Sequence, residues 1–185
     1  MILPIVGFGS PILRKKCKDI THEYPEFETL LANMWETMYK ASGIGLAAPQ
    51  INKEIRLFLI DTTPIVDDDE TEEVIVKQAF INARIIEETG EEWVFNEGCL
   101  SIPDIREDVS RKSTVTIEYM DENFKKHTTT FDGLTARVIQ HEYDHVDGIL
   151  FTDKISALRK RMIKGKLMDI SKGRVNAAYK MRFAR

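Results

Sequence analysis

His141 and His145, four residues apart with Glu142 between them, are the part of this sequence best suited to do chemistry. A helix advances about 100° and 1.5 Å per residue, so positions four apart lie about 40° from each other and about 6 Å along the axis. Both imidazoles can reach one ion from a single helix face, with Glu142 beside them and free of any need to be a ligand. The H-E-x-x-H spacing is that of a metal-dependent hydrolase whose glutamate acts as general base on a water. A catalytic site of this kind needs a third protein ligand and keeps a fourth position open. Cys99, next to Gly98 in the segment 96–101, is the natural candidate. Asp144 or an acid elsewhere are other donors, and Asp144 fits better as a residue that holds a ligand in place. Taken alone, Cys99 reads as a buried, inert thiol, and the histidine pair tips it toward ligation. Such a set accepts Zn²⁺ or Fe²⁺, and ligand type does not choose between them.

A second candidate is the segment Gly43, Ile44, Gly45 and on to Gln50. It nearly matches the dinucleotide pattern G-x-G-x-x-G/A, but that pattern needs a strand before it and a helix opening from it. Here a helix precedes, and Pro49 would fall inside the new helix. The better reading is a glycine-rich stretch that lets a ligand's backbone come close, with Gln50 supplying a neutral amide donor of the oxyanion-stabilising type. A plain tight turn with a solvated glutamine is the alternative.

The surrounding pattern must hold these groups in place. Residues 26–41 read as an amphipathic helix, with Phe27, Leu30, Leu31, Met34 and Met38 at helical spacing, stopped by Gly43 and Gly45. Residues 56–60 read as a buried strand, and 74–81 and 114–120 as β-branched strands. Residues 125–131 pair with the last of these across a turn at 121–123. The acidic run 67–73 reads as an exposed loop. Thr135 can cap a helix that ends at Gly148, with Val138 and Ile139 packing it into a core. Ile155, Leu158, Met162, Ile163 and Leu167 mark a final amphipathic helix, and the chain is expected to fray beyond 171–173. The expected fold is α+β, a single domain of small antiparallel or mixed β-sheets packed around a central metal-binding helix, with a C-terminal helix.

With 185 residues, 43% of them hydrophobic and 30% charged, the chain can build one well-buried globular domain. No apolar run is long enough to span a bilayer, and the apolar start is too short for a signal peptide, its basic residues coming after it. A cytoplasmic location is expected, without membrane association. Cys17 and Cys99 are too sparse for a disulfide framework; reduced thiols fit, with Cys17 a packed one. The net charge of −4 hides an asymmetry. The last thirty residues hold ten Lys/Arg and one acid, Asp169, so an acidic body (−13) carries a basic tail (+9). Such a tail suits a polyanion, or else a solvated helix folded against the acidic body.

Three segments together resemble the peptide deformylase family, whose patterns are G-x-G-L-A-A-x-Q, E-G-C-L-S and Q-H-E-x-D-H in that order. They read here as Gly43–Gln50, Glu97–Ser101 and Gln140–His145, without a mismatch. The resemblance covers most of residues 1–170 and implies a catalytic domain there, with 171–185 a basic tail. It implies hydrolytic removal of formate from the N-formylmethionine of newly made polypeptides. It assigns Cys99, His141 and His145 to one divalent metal ion. Fe²⁺ is the family's usual ion, and Zn²⁺, Ni²⁺ or Co²⁺ are alternatives a preparation can carry. Glu142 would act as general acid and base, and Gln50 with the backbone N–H of Leu100 would bind the developing oxyanion. The substrate would lie extended along Gly43, Ile44, Gly45 and Gly98, its methionine in an apolar pocket that includes Ile44 and Val138. Arg106 matches an arginine near this site in some relatives. Contact with the ribosome through the basic tail is a further implied partner, and removing residues after Ile170 would then weaken it while leaving short-peptide turnover intact. Two other readings share part of the pattern: a metalloprotease or other amidase, and a non-catalytic RNA-associated protein with a structural metal.

Overall fold

A computed structural model describes residues 1–65 and 74–184, so the acidic run 67–73 lies outside the described residues. The chain opens with strand β1 (Ile5–Val6) and reaches helix α1 (Phe27–Lys40). Phe27, Leu30, Leu31, Met34 and Met38 of α1 are all buried, as their spacing predicts. Strands β2 (Gly45–Ala47), β3 (Leu57–Asp61), β4 (Lys77–Cys99), β5 (Ile102–Met120) and β6 (Lys126–Asp132) follow. They form one antiparallel sheet in the order β2-β3-β4-β5-β6, with β2 at an edge. The β5–β6 turn is held by Asp121 Oδ1, which accepts from the backbone N–H groups of Asn123 and Lys125.

Helix α2 (Gly133–Val146) crosses the sheet against β2, β3, β5 and β6. Its Ala136, Val138, Ile139 and Val146 share a core with Phe58, Ile60, Phe80, Val115 and Ile117. Burying such side chains contributes roughly 1.5–3 kcal/mol each, which is what anchors the helix that carries both histidines. The expected cap at Thr135 is corrected: the helix starts directly out of β6 with Asp132 at its N-cap. Thr135 sits in the first turn and donates to the carbonyl of Val74 at 3.2 Å. Gly148 ends the helix as predicted, with φ of +76°, and a Cβ there would lie 2.7 Å from the backbone carbonyl of Arg14.

Helix α3 (Ala157–Ser171) starts at Ser156, whose hydroxyl accepts from the N–H of Arg159 at 3.2 Å. Its buried side is narrower than the sequence pattern suggests. Ile163 and Ile170 are buried, whereas Leu158 and Met162 are 66% and 63% exposed. The segment after α3, described through residue 184, stays on the body. It returns to the N-terminus as β7 (Met181–Arg182), parallel to β1 in a second, two-stranded sheet. The other departure is the length of β4 and β5. The stretch 74–76 precedes the strand rather than opening it, and β4 continues eighteen residues past Ile81 as a long hairpin with β5. Among the described residues no helix is long and apolar enough to cross a membrane.

Candidate active site

Three elements converge on one spot. Cys99 ends β4, where the β4–β5 ladder slips register between Gly98 and Cys99, an irregularity of the kind that re-aims a side chain. His141 and His145 come from the same face of α2. The ligand atoms of these three residues lie within 4.8 Å of one another, and Cys99 Sγ is 3.3 Å from His145 Nε2. In a tetrahedral site with bonds of about 2.0–2.3 Å, neighbouring donor atoms sit only a few ångströms apart, so this cluster fits one ion.

The rest of each donor group agrees. His141 Nδ1 is 2.9 Å from Glu97 Oε2, which fixes the ring and leaves Nε2 as its donor. Burial holds His145 neutral, the form a metal needs. Its Nδ1 is a buried atom without a hydrogen-bond partner among the described residues.

Glu97 is anchored by two buried arginines. Arg111 Nε and Nη2 donate to its two oxygens at 2.7 and 2.9 Å, and Arg137 Nη1 donates at 3.0 Å. Burial alone would raise the Glu97 carboxyl, but the hydrogen bonds from His141 and Arg111 outweigh it and hold it well below the usual carboxylate range. Arg111 also donates to Asp144 Oδ2 at 2.7 Å, so Asp144 supports the network rather than either histidine. Arg111 and Arg137 have no signal in the spacing of the sequence. Glu97 had only its place in the same short segment as Cys99.

Glu142 is buried, and its Oε2 has no hydrogen-bond partner among the described residues. Burial pushes its carboxyl up to about 7, where a carboxylate can both take and return a proton near neutral pH. Gly45 lies directly against it: a Cβ there would be 2.4 Å from Glu142 Oε1. That close approach, rather than any turn, is why the position is a glycine. Gln50 follows β2 in a short 3-10 turn and reaches the Cys99 sulfur, with Nε2 3.5 Å from Cys99 Sγ and 3.3 Å from Ser101 Oγ. Its Oε1 accepts from the N–H of Ala47 at 2.8 Å, which fixes the amide so that the NH₂ end points at the site.

These groups face a cleft of about 690 Å³ lined by Gly43, Ile44, Gly45, Gly98, Leu100 and Val138 among others. Its size suits a few residues of peptide. Arg106 also lines the cleft, with its guanidinium tied to Asn96 and lying over Gly98. All the residues singled out in the three sequence segments therefore meet in one place.

The sequence pattern of the polypeptide deformylase family matches residues 2–161. The chain belongs to the polypeptide deformylase family. Its activity is that of the family, a metal-dependent hydrolysis that removes N-formyl groups, acting on nascent formylated peptides. The peptide deformylase of Christiangramia forsetii is 60% identical across 99% of this chain and 96% of its own. That of Flavobacterium johnsoniae is 60% identical across 100% and 97%. Among solved structures, a peptide deformylase from Legionella pneumophila superposes with a TM-score of 0.79 at 37% identity, covering 93% of this chain and 96% of its own. One from Plasmodium falciparum gives 0.81 at 33%, covering 91% and 95%.

Proposed function

We propose that residues 1–170 carry the ligands and the catalytic groups of this deformylation and that 171–185 is a basic tail, of which Asn176, Ala177, Ala178 and Tyr179 line the cleft. The observation that supports the reading best is the meeting of Cys99, His141 and His145 beside a buried Glu142 carboxyl whose Oε2 has no hydrogen-bond partner among the described residues. Those three residues would hold one divalent cation. Fe²⁺ is the ion implied by the resemblance, and Zn²⁺, Ni²⁺ or Co²⁺ would compete for the same donors. When bound, the cation supplies Lewis acidity toward the formyl oxygen and lowers the pKa of a water.

The protein's own groups do the rest. Glu142 takes a proton from the attacking water and delivers it to the methionine nitrogen as the C–N bond breaks; its elevated carboxyl suits both transfers. Gln50 Nε2 and the N–H of Leu100 donate to the oxygen as it gains charge, and each such donor is worth about 10²–10³ in rate. The substrate chain adds to the free edge at Gly43, Ile44 and Gly45, with Gly98 leaving room opposite. Ile44 and Val138 take the methionine side chain.

The basic face of α3, with Arg161 and Lys164 exposed, supports a contact with the phosphate backbone of the ribosome. Reversing both charges should lower co-sedimentation with ribosomes; unchanged co-sedimentation removes that partner. A cytoplasmic location fits the two free thiols.

The test of the site is Glu142→Gln. The account expects metal content at the wild-type level and formate release reduced by at least about 10²-fold. Retained turnover would remove Glu142 from the proton path.

A further inference from the structure

The segment after α3 lies outside the stretch matched by the family pattern, which ends at residue 161. It nevertheless returns to the active site. From a turn at Gly173 (φ +72°), Asn176, Ala177, Ala178 and Tyr179 form part of the cleft lining. The Tyr179 hydroxyl donates to the backbone carbonyl of Leu100 at 2.8 Å.

The strap is then fastened beyond that point. The N–H of Ile5 bonds the carbonyl of Lys180 and the N–H of Gly7 bonds that of Arg182, both at 2.8 Å. Phe183 sits between two glycines: a Cβ at Gly7 would be 2.6 Å from its Cδ1 and Cε1, and one at Gly173 would be 3.1 Å from its Cδ2. The same N-terminal segment grips the neighbouring residue of the loop, the N–H of Phe8 bonding the carbonyl of Ser101 at 2.8 Å. Leu100 and Ser101 are thus held by their carbonyls from both chain ends. The Leu100 side chain also packs on Gly43, where a Cβ would be 2.7 Å from its Cδ1.

We propose that Tyr179 is a positioning residue: the C-terminal strap 174–183 clamps Leu100 through this hydrogen bond and so aims the Leu100 N–H at the developing oxyanion. This rests on the role of Leu100 given above. A donor is effective only when its geometry is set before the charge develops, and a loop between two strands needs an outside hold to achieve that. Tyr179 touches the carbonyl of Leu100 rather than the reacting atoms. Its loss should therefore act on turnover and leave substrate binding in place. Removal of residues after Ile170 takes the clamp away and cannot be neutral for short-peptide turnover.

The experiment compares full-length, metal-loaded wild type with Tyr179→Phe on a formyl-Met-Ala-Ser peptide. The substitution removes one hydroxyl and keeps the ring's packing, so the expected result is a three- to tenfold fall in kcat with KM within about twofold, the effect of one hydrogen bond. Full-length Phe183→Ala, which loosens the strap at a distance, should move kcat the same way. An unchanged kcat in Tyr179→Phe overturns the proposal, as does a fall explained entirely by a smaller folded fraction in a thermal melt. Hydrogen exchange over Cys99–Ile102 reads the clamp without turnover: it should quicken in Tyr179→Phe. Unchanged exchange there overturns the clamp, whereas quickened exchange in a protein that releases no formate keeps the clamp and points to failure of the catalytic reading instead.

Discussion

Gly45→Ala should damage catalysis while sparing the fold, and the size of the effect can be worked from the geometry. The added methyl would lie 2.4 Å from Glu142 Oε1 and 2.7 Å from its Cδ and Cγ, against the 3.4 Å at which ordinary contact begins. The Glu142 side chain must therefore retreat by about 1 Å, and a misplacement of that size in a reacting group costs about 10²-fold. The three heavy atoms nearest to such a methyl all belong to Glu142. Gly45 sits in an extended edge strand opposite Ile60, a backbone that alanine adopts freely. The lost freedom of the unfolded chain favours the fold by about 0.4–1 kcal/mol, against an overpacking cost of about 1–3 kcal/mol for displacing the buried Glu142 side chain. The expected variant has kcat reduced about 10²-fold, KM within about threefold, full metal content and a melting temperature lowered by no more than about 10 °C. Steady-state kinetics of formate release, metal analysis and a thermal melt measure these. A kcat within threefold of wild type would refute the placement of the Glu142 carboxylate against the substrate edge.

Other consequences follow from the same geometry. Glu97→Gln removes the charge that orients His141, leaves Arg137 without its carboxylate and leaves Arg111 with Asp144 alone. Metal affinity in chelator competition should fall about 10–100-fold, and unfolding should cost about 3–5 kcal/mol less; wild-type values in both would discount the network. Gln50→Ala deletes one oxyanion donor and should lower kcat about 10²–10³-fold with little change in KM, whereas a pure KM effect would make Gln50 a substrate-binding group only. Burial pushes the Cys17 thiol up to about 11 from its ordinary 9.0, so alkylation of the folded protein at neutral pH should be far slower at Cys17 than in urea. Because the folded value lies above the unfolded one, the stability this group contributes is complete below pH 9 and is lost as the pH rises toward 11. Equal alkylation rates in the folded and urea-unfolded states would show that Cys17 is not packed as described.

The site was more legible in the sequence than the elements that hold it. His141, His145 and Glu142 announce themselves because a helix turns fixed spacing into a shared face, and Cys99 and Gln50 follow from the chemistry the pair still lacks. Phe27 to Met38 likewise mark α1, because burial on one helix face needs that period. The β4–β5 hairpin was hidden for the opposite reason. Its ladder carries Glu87, Glu88 and Glu92 on exposed positions, and register slips between Ile85 and Glu87 and between Thr89 and Glu92 interrupt the period of two. Arg111 and Arg137 carry no signal until the fold brings them onto Glu97, since ion pairing across long sequence separations leaves no local trace. Leu158 and Met162 fit a helical stripe in sequence yet face solvent, because α3 meets the core along Ile163, Leu167 and Ile170. The tail reads as loose because its hold on the body lies far off in sequence, at β1 and Gly7 nearly the whole chain away and at Leu100, 79 residues from Tyr179.

The most direct test of the central claim is formate release from a formyl-Met-Ala-Ser peptide by protein prepared anaerobically with Fe²⁺. The account predicts turnover that a chelator abolishes and added Fe²⁺ restores, with the unformylated peptide left intact. A folded protein carrying one metal per chain that releases no formate, or that cleaves the unformylated peptide, would contradict it.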